Sequence, residues 1–220
     1  MTKPTLIIGN KNYSSWSLRP YLALSMAGIP FDEKMIRFGE PRFTREVRKF
    51  SKAGQVPILL HNGLVVNDSL AIVEYAHETW GAKNVWPKNK AARAKARSVS
   101  AEMHAGFRGI RSACPMNLRR EKKLPPGGIT EAIAKDVARL EQLWAECRKD
   151  YGKGGPFLFG KFSAADAMFT PVVSRLETFA IPVSKPTRAY MEAILSTPVF
   201  AKWKTESAAE NWIVPEDEVD

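Results

Sequence analysis

Ser14-Ser15-Trp16-Ser17 stands between a short apolar run, Thr5-Leu6-Ile7-Ile8-Gly9, and a segment with helical spacing. A serine hydroxyl is a weak nucleophile without a neighbouring base, and the sequence sets no histidine or aspartate beside these. It is a good donor to an anion. At a helix start, that donor acts together with unpaired backbone N–H groups and the positive end of the helix dipole. A single serine there is equally at home as a helix cap, whereas a run of three is more than capping needs.

Two other places could hold a polar ligand. Gln55-Val56-Pro57 leads into the apolar Ile58-Leu59-Leu60, and Asp68-Ser69 stands at the start of an apolar-periodic stretch ending at Gly81. A third is basic: residues 88–123 carry eleven Lys or Arg and two Glu, nearly all of the net charge of +10. At about 100° per residue, Val99, Met103, Gly106, Phe107 and Ile110 share one helical face. Arg97, His104, Arg108 and Arg111 share a neighbouring one. Such a face is either solvated or suited to an anionic co-substrate, because arginine pairs with carboxylates bidentately. Pro115 ends this helix and brings Met116 and Asn117 near the same place.

The elements that carry these residues read as β-α-β-α-β-β-α up to residue 81. Strands are expected at 4–9, 31–38, 56–60 and 64–66, and helices at 17–28, 41–50 and 68–81. The second strand has a polar edge, and Asn62-Gly63 is a hairpin signal. This is the thioredoxin-like topology. Residues 82–89 are polar and proline-containing and read as a linker. Residues 90–220 read as helices at 90–115, 129–150, 164–180, 186–195 and 198–208. The fold class is therefore α/β plus all-α, a thioredoxin-like domain (1–81) followed by an all-helical domain (90–220). The acidic end, Pro-Glu-Asp-Glu-Val-Asp, reads as a frayed tail. His61 and His77 read as surface residues.

In thioredoxin-like folds the loop after the first strand feeds the first helix, and redox members place Cys-x-x-Cys there. Serines occupy both cysteine positions here, which excludes dithiol exchange at this site. A hydroxyl can still lower the pKa of a ligand's thiol by favouring its charged form, so a thiol cosubstrate is indicated.

The sequence resembles the glutathione S-transferase family over essentially its full length, most closely the zeta-type, maleylacetoacetate isomerase-related and bacterial branches. Their Ser-Ser-x-Ser-x-Arg run is matched by Ser-Ser-Trp-Ser-Leu-Arg. The resemblance implies that Ser14 stabilises the glutathione thiolate, with Ser15 beside it. Val56 would make a strand-like backbone contact to glutathione, its angle set by a cis Pro57, and Gln55 would reach the same ligand. Ser69 would receive the γ-glutamyl carboxylate and Asp68 the ammonium. Ser163-x-x-Asp166 resembles the family's reciprocal cap at a core helix.

The electrophile would lie between the serine loop and the long basic helix, against Tyr13, Trp16, His104, Arg108 and Arg111. In the isomerase members the third position of the run is usually cysteine, and here it is Trp16. This points to a glutathione-dependent transferase acting on small electrophiles, anionic ones among them. Cis-trans isomerisation of the maleylacetoacetate type and non-catalytic binding of glutathione or an anion are the alternatives. The family implies a homodimer.

Remaining features bound the rest. Cys114 and Cys147 are too few for a disulfide framework, and no Cys/His spacing marks a metal site. No apolar run reaches the ~20 residues needed to cross a bilayer, and no signal-peptide pattern follows Met1, so a cytoplasmic location is expected. No aromatic ladder accompanies the basic residues, so nucleic acid is not expected as a partner.

Overall fold

The computed structural model describes residues 2–81 and 85–219, so the expected linker, 82–89, lies partly outside the described residues. Strand β1 (Thr5–Ile8), with Leu6, Ile7 and Ile8 wholly buried, is an inner strand of a four-stranded sheet. It pairs in parallel with the edge strand β2 (Asp32–Met35) and antiparallel with β3 (Ile58–His61). β4 (Leu64–Asn67) closes the other edge in the order β2-β1-β3-β4. Asn62 and Gly63 both take positive φ, as the two-residue hairpin turn requires.

Around this sheet lie α1 (Ser15–Met26), α2 (Phe43–Arg48) and α3 (Ser69–Thr79). The second part is helical: α4 (Lys90–Ala105), α5 (Arg108–Ala113), α6 (Glu131–Tyr151), α7 (Ala164–Thr178), α8 (Lys185–Leu195) and α9 (Pro198–Ala208). Helix α7 is buried from Ala164 to Leu176 and packs against both α1 and α4, which joins the two parts through one core. The reciprocal cap forms at its start: the Asp166 carboxylate receives the N–H groups of Ser163 and Leu158 and the Tyr190 hydroxyl.

Several local expectations are corrected. Helix α1 starts at Ser15 rather than Ser17, because Ser14 caps it by accepting from Ser17 N. Pro20 then falls in the second turn, inside the helix, and offers no N–H to the Trp16 carbonyl. The expected helix over 90–115 is two helices. Gly106 is extended and Phe107 is left-handed (φ 58°), with its ring in the core. The break holds because Arg111 donates to the carbonyls of His104 and Gly106, and the Asp136 carboxylate takes Ile110 N–H.

His61 is buried rather than exposed. The Tyr75 hydroxyl donates to Nδ1 at 2.7 Å, and Nε2 donates to the Thr2 carbonyl at 3.1 Å, which fixes the tautomer. His77 is partly buried.

The acidic C-terminal segment is docked, not frayed. The Glu218 carboxylate receives the Tyr13 hydroxyl and Asn117 Nδ2, and Arg120 donates to the Val219 carbonyl at 3.0 Å. The basic stretch is largely engaged within the chain. Arg97 grips Glu74 bidentately, Lys95 meets Glu146, Lys122 meets Glu177, and Arg119 and Arg120 donate to backbone carbonyls. Both cysteines are fully buried, and burial pushes each thiol up to about 11, leaving them unreactive.

Candidate functional site

The loop between β1 and α1 is held by the helical part. Glu210 accepts the backbone N–H groups of Lys11 (2.7 Å) and Asn12 (3.1 Å), Trp203 Nε1 donates to the Lys11 carbonyl, and Asn12 Nδ2 donates to Asn117 Oδ1. The buried Lys11 ammonium bridges Glu33 and Glu206. A loop pinned in this way delivers Ser14 and Ser15 to one cleft. Phe38 lies across the end of β1, so close that a Cβ at Gly9 would come within 2.3 Å of its ring.

The cleft has two parts, which share Trp16, Phe38 and Val56. One, a cavity of about 490 Å³, lies along the α/β part and is lined also by Phe43, Gln55, Pro57 and Asp68. The Val56-Pro57 peptide is cis, as expected. Asp68 caps α3 through Leu70 N and Ala71 N with its own φ at +77°. Ser69, the first residue of that helix, is wholly buried, and its hydroxyl has no partner among the described residues.

The other part, about 780 Å³, is lined by both halves of the chain: Tyr13, Ser14 and Ser15 on one side, His104, Arg108 and Arg111 on the other, with Met116, Arg175 and Asp217. Arg175 comes from the last turn of α7 and donates to Ser15 Oγ at 3.3 Å. Its Nε and Nη1 are buried without a hydrogen-bond partner among the described residues. Two guanidinium groups lie over the Trp16 ring, Arg19 at 4.3 Å and Arg111 at 4.9 Å from its centre, with His104 edge-on at 5.0 Å. Arg19 is wholly buried, and none of its three nitrogens has a hydrogen-bond partner among the described residues.

Burial pulls Arg19 down to about 9 and Arg175 to about 10, and the neighbouring guanidinium groups push the same way. Arg111 is lowered by burial and then by Arg108. Arg19 and Arg175 keep their charge at neutral pH. Asp217 is raised by burial to about 6, against the pull of Arg175. His104 Nε2 approaches Asp68 Oδ2 at 3.3 Å, yet burial holds this imidazole below its ordinary pKa, so the contact at neutral pH is that of a neutral ring. Concentrated, under-paired positive charge in a cleft is an arrangement for an anion.

Of the residues singled out in the sequence, Gln55, Val56, Pro57 and Asp68 come together in the first cavity, with Ser69 beneath. Tyr13, Ser14, Ser15, Trp16, His104, Arg108 and Arg111 come together in the second. Tyr13 does more than line it: its hydroxyl accepts from Arg119 and donates to Glu218. Arg97, expected on the same face, turns away to Glu74. Sequence reasoning missed Arg175, Asp217 and the unpaired state of Arg19. A lone charged residue in the otherwise uncharged run 167–176 was the signal for the first. Among the described residues no acidic, His or Cys cluster is arranged to hold a metal, and no helix is long and apolar enough to cross a membrane.

Comparison with known proteins agrees with this architecture. The family description "Glutathione S-transferase, N-terminal domain" matches residues 13–79, and "Glutathione S-transferase, C-terminal domain" matches residues 130–193. The chain is 26% identical over 204 residues to maleylacetoacetate isomerase of Rattus norvegicus, covering 90% of each chain. It is 28% identical over 178 residues to glutathione S-transferase 1 of Dianthus caryophyllus, covering 78% of each. A glutathione transferase homologue from Burkholderia gl BGR1, solved with bound glutathione, shares the fold with a TM-score of 0.70 at 20% identity, over 95% of this chain and 100% of that one. The two family matches together take in more than half of the chain, in the order of its two parts: it belongs to the glutathione S-transferase family, enzymes whose cosubstrate is glutathione.

Proposed function

We propose that glutathione lies along the first cavity and presents its sulfur to the serine loop, where Ser14 and the N-terminus of α1 hold it as thiolate. The thiolate adds to carbon in a small electrophile whose carboxylate is taken by Arg111 and Arg175, with Arg108 at the mouth of the cleft. Val56 pairs through its backbone with the cysteinyl part, and Gln55 reaches the same segment. The unpartnered Ser69 hydroxyl and the α3 N-terminus receive the γ-glutamyl carboxylate, and Asp68 faces its ammonium. Ser15 is a secondary contact, its oxygen already receiving Arg175. The observation that carries the anionic substrate class is the pair of buried donors on Arg175, Nε and Nη1, without a hydrogen-bond partner among the described residues, in the same cavity as Arg111 and beside Ser15.

Isomerisation is the second reading, favoured by relatives named maleylacetoacetate isomerase. Both readings share the first step. The sulfur forms a bond to one carbon of a conjugated double bond and the π pair moves to the activating group. In isomerisation, rotation follows and the returning pair expels the thiolate; in conjugation the carbanion takes a proton from water and the adduct is released. We propose further that the chain works as a cytoplasmic homodimer, as its family generally does.

The test is titration of the protein with glutathione, following heat and thiolate ultraviolet absorbance across pH, in wild type, Ser14→Ala and Ser15→Ala. A lowered thiol pKa, lost in Ser14→Ala and largely kept in Ser15→Ala, supports the reading. Binding with an unshifted thiol pKa in wild type sinks the thiolate role and leaves a glutathione-binding scaffold.

A further inference from the structure

Ser17 is wholly buried and touches neither cavity, yet its hydroxyl is joined to the site. Its Oγ accepts the Gly9 N–H at 3.1 Å and stands 2.7 Å from Ser14 Oγ. Ordinary capping of α1 uses only the Ser17 N–H, which donates to Ser14 Oγ at 3.3 Å, so the Ser17 hydroxyl is not needed for the cap.

The hydrogens decide the direction of the 2.7 Å contact. Each serine has one to donate. Among the described residues the Ser17 hydrogen has a single acceptor, Ser14 Oγ, because the only other group on its oxygen is the Gly9 N–H, itself a donor. The Ser14 hydrogen has a choice between Ser17 Oγ and whatever anion enters the cleft it lines. With a thiolate in place, every donor finds an acceptor in one arrangement only: Gly9 N–H to Ser17, Ser17 to Ser14, Ser14 to sulfur. In such a chain each accepted bond polarises the next hydroxyl and strengthens its donation.

We propose that Ser17 is a positioning residue for the thiolate, relaying the fixed Gly9 N–H of the strand end to the Ser14 hydroxyl and turning its hydrogen towards the sulfur. The inference rests on Ser14 holding the thiolate, as proposed above. It separates the two cleft-lining serines by what backs them: Ser14 by a neutral chain rooted in the sheet, Ser15 by the Arg175 guanidinium.

The experiment measures the pKa of bound glutathione thiol by ultraviolet absorbance in wild type, Ser14→Ala, Ser17→Ala and Ser17→Cys. Ser14→Ala is expected to raise it by about one to two units, the worth of one hydrogen bond to a charged group. Ser17→Ala is expected to raise it by about half a unit, with the affinity for glutathione at low pH, where the thiol is protonated, changed by less than about twofold. Ser17→Cys keeps the volume with a weaker donor and should fall between wild type and Ser17→Ala; it carries the comparison alone if Ser17→Ala does not fold. A pKa raised in Ser14→Ala but unmoved in both Ser17 variants overturns the relay and leaves the role of Ser14 standing. A pKa unmoved in Ser14→Ala overturns that role and the relay with it.

Discussion

The two parts of the cleft are built by different means. The first is made by neighbours in sequence: the Val56-Pro57 peptide, the Asp68 cap and the first turn of α3 all belong to the α/β part, within residues 53–69 apart from Trp16, Phe38 and Phe43. The second gathers side chains from across the whole chain, with Arg175 meeting Ser15 across 160 residues and Asp217 arriving from the tail. A site made of backbone groups and caps is fixed by local geometry, whereas one made of packed charges depends on every element that presses on it. The first part therefore suits a constant ligand, and the second can change its chemistry by a few substitutions.

The sharpest way to break this division is at Arg175. Arg175→Met is expected to lower kcat/KM for an anionic electrophile about 50- to 100-fold, while the affinity for glutathione by calorimetry stays within about twofold. Its thermal stability should hold or rise, because a buried guanidinium with unpartnered nitrogens is replaced by an apolar chain of similar length. Equal loss in both ligands would merge the two parts into one.

The converse variant is Asp68→Asn, which keeps a cap acceptor for Leu70 N and Ala71 N and removes the charge. Glutathione affinity should fall about tenfold, with KM for the electrophile nearly unchanged in steady-state kinetics. A smaller effect belongs to the tail. Asp217 titrates near 6 beside Arg175 and is charged above that pH and neutral below it, so it competes with a substrate carboxylate only on the alkaline side. The KM for an anionic electrophile should thus fall about threefold as pH drops through 6, a competition worth well under a fully desolvated pair. Asp217→Asn should show the lower KM at both ends of that range; a slope that persists in this variant would assign it to another group.

The same division governs what the sequence discloses. The motif residues of the first part are adjacent in the chain, and their backbone roles leave marks: a proline between apolar residues, an acidic cap before a periodic run, Asn-Gly at a turn. The helix break at Gly106-Phe107 left no comparable mark. Apolar periodicity runs straight through it, and what stabilises the break is tertiary: Arg111 on the freed carbonyls, Asp136 on the next helix, and the Phe107 ring in the core. The tail misled for a related reason. Acidic composition alone reads as solvated, yet Tyr13, Asn117 and Arg120, far away in sequence, give Glu218 and Val219 their partners. Arg19 was visible within the serine motif, but its burial without a partner is a property of packing beneath Trp16.

The division of the cleft is tested most directly by two S-alkyl glutathiones of equal arm length, one arm ending in a carboxylate and the other in a methyl group. Their dissociation constants are measured by calorimetry at neutral pH. If the glutathione part fills the first cavity and the arm enters the arginine-lined second one, the carboxylate-ended ligand binds about tenfold tighter. Equal or tighter binding of the methyl-ended ligand would contradict the account and leave the second cavity an apolar site beneath a solvated basic rim.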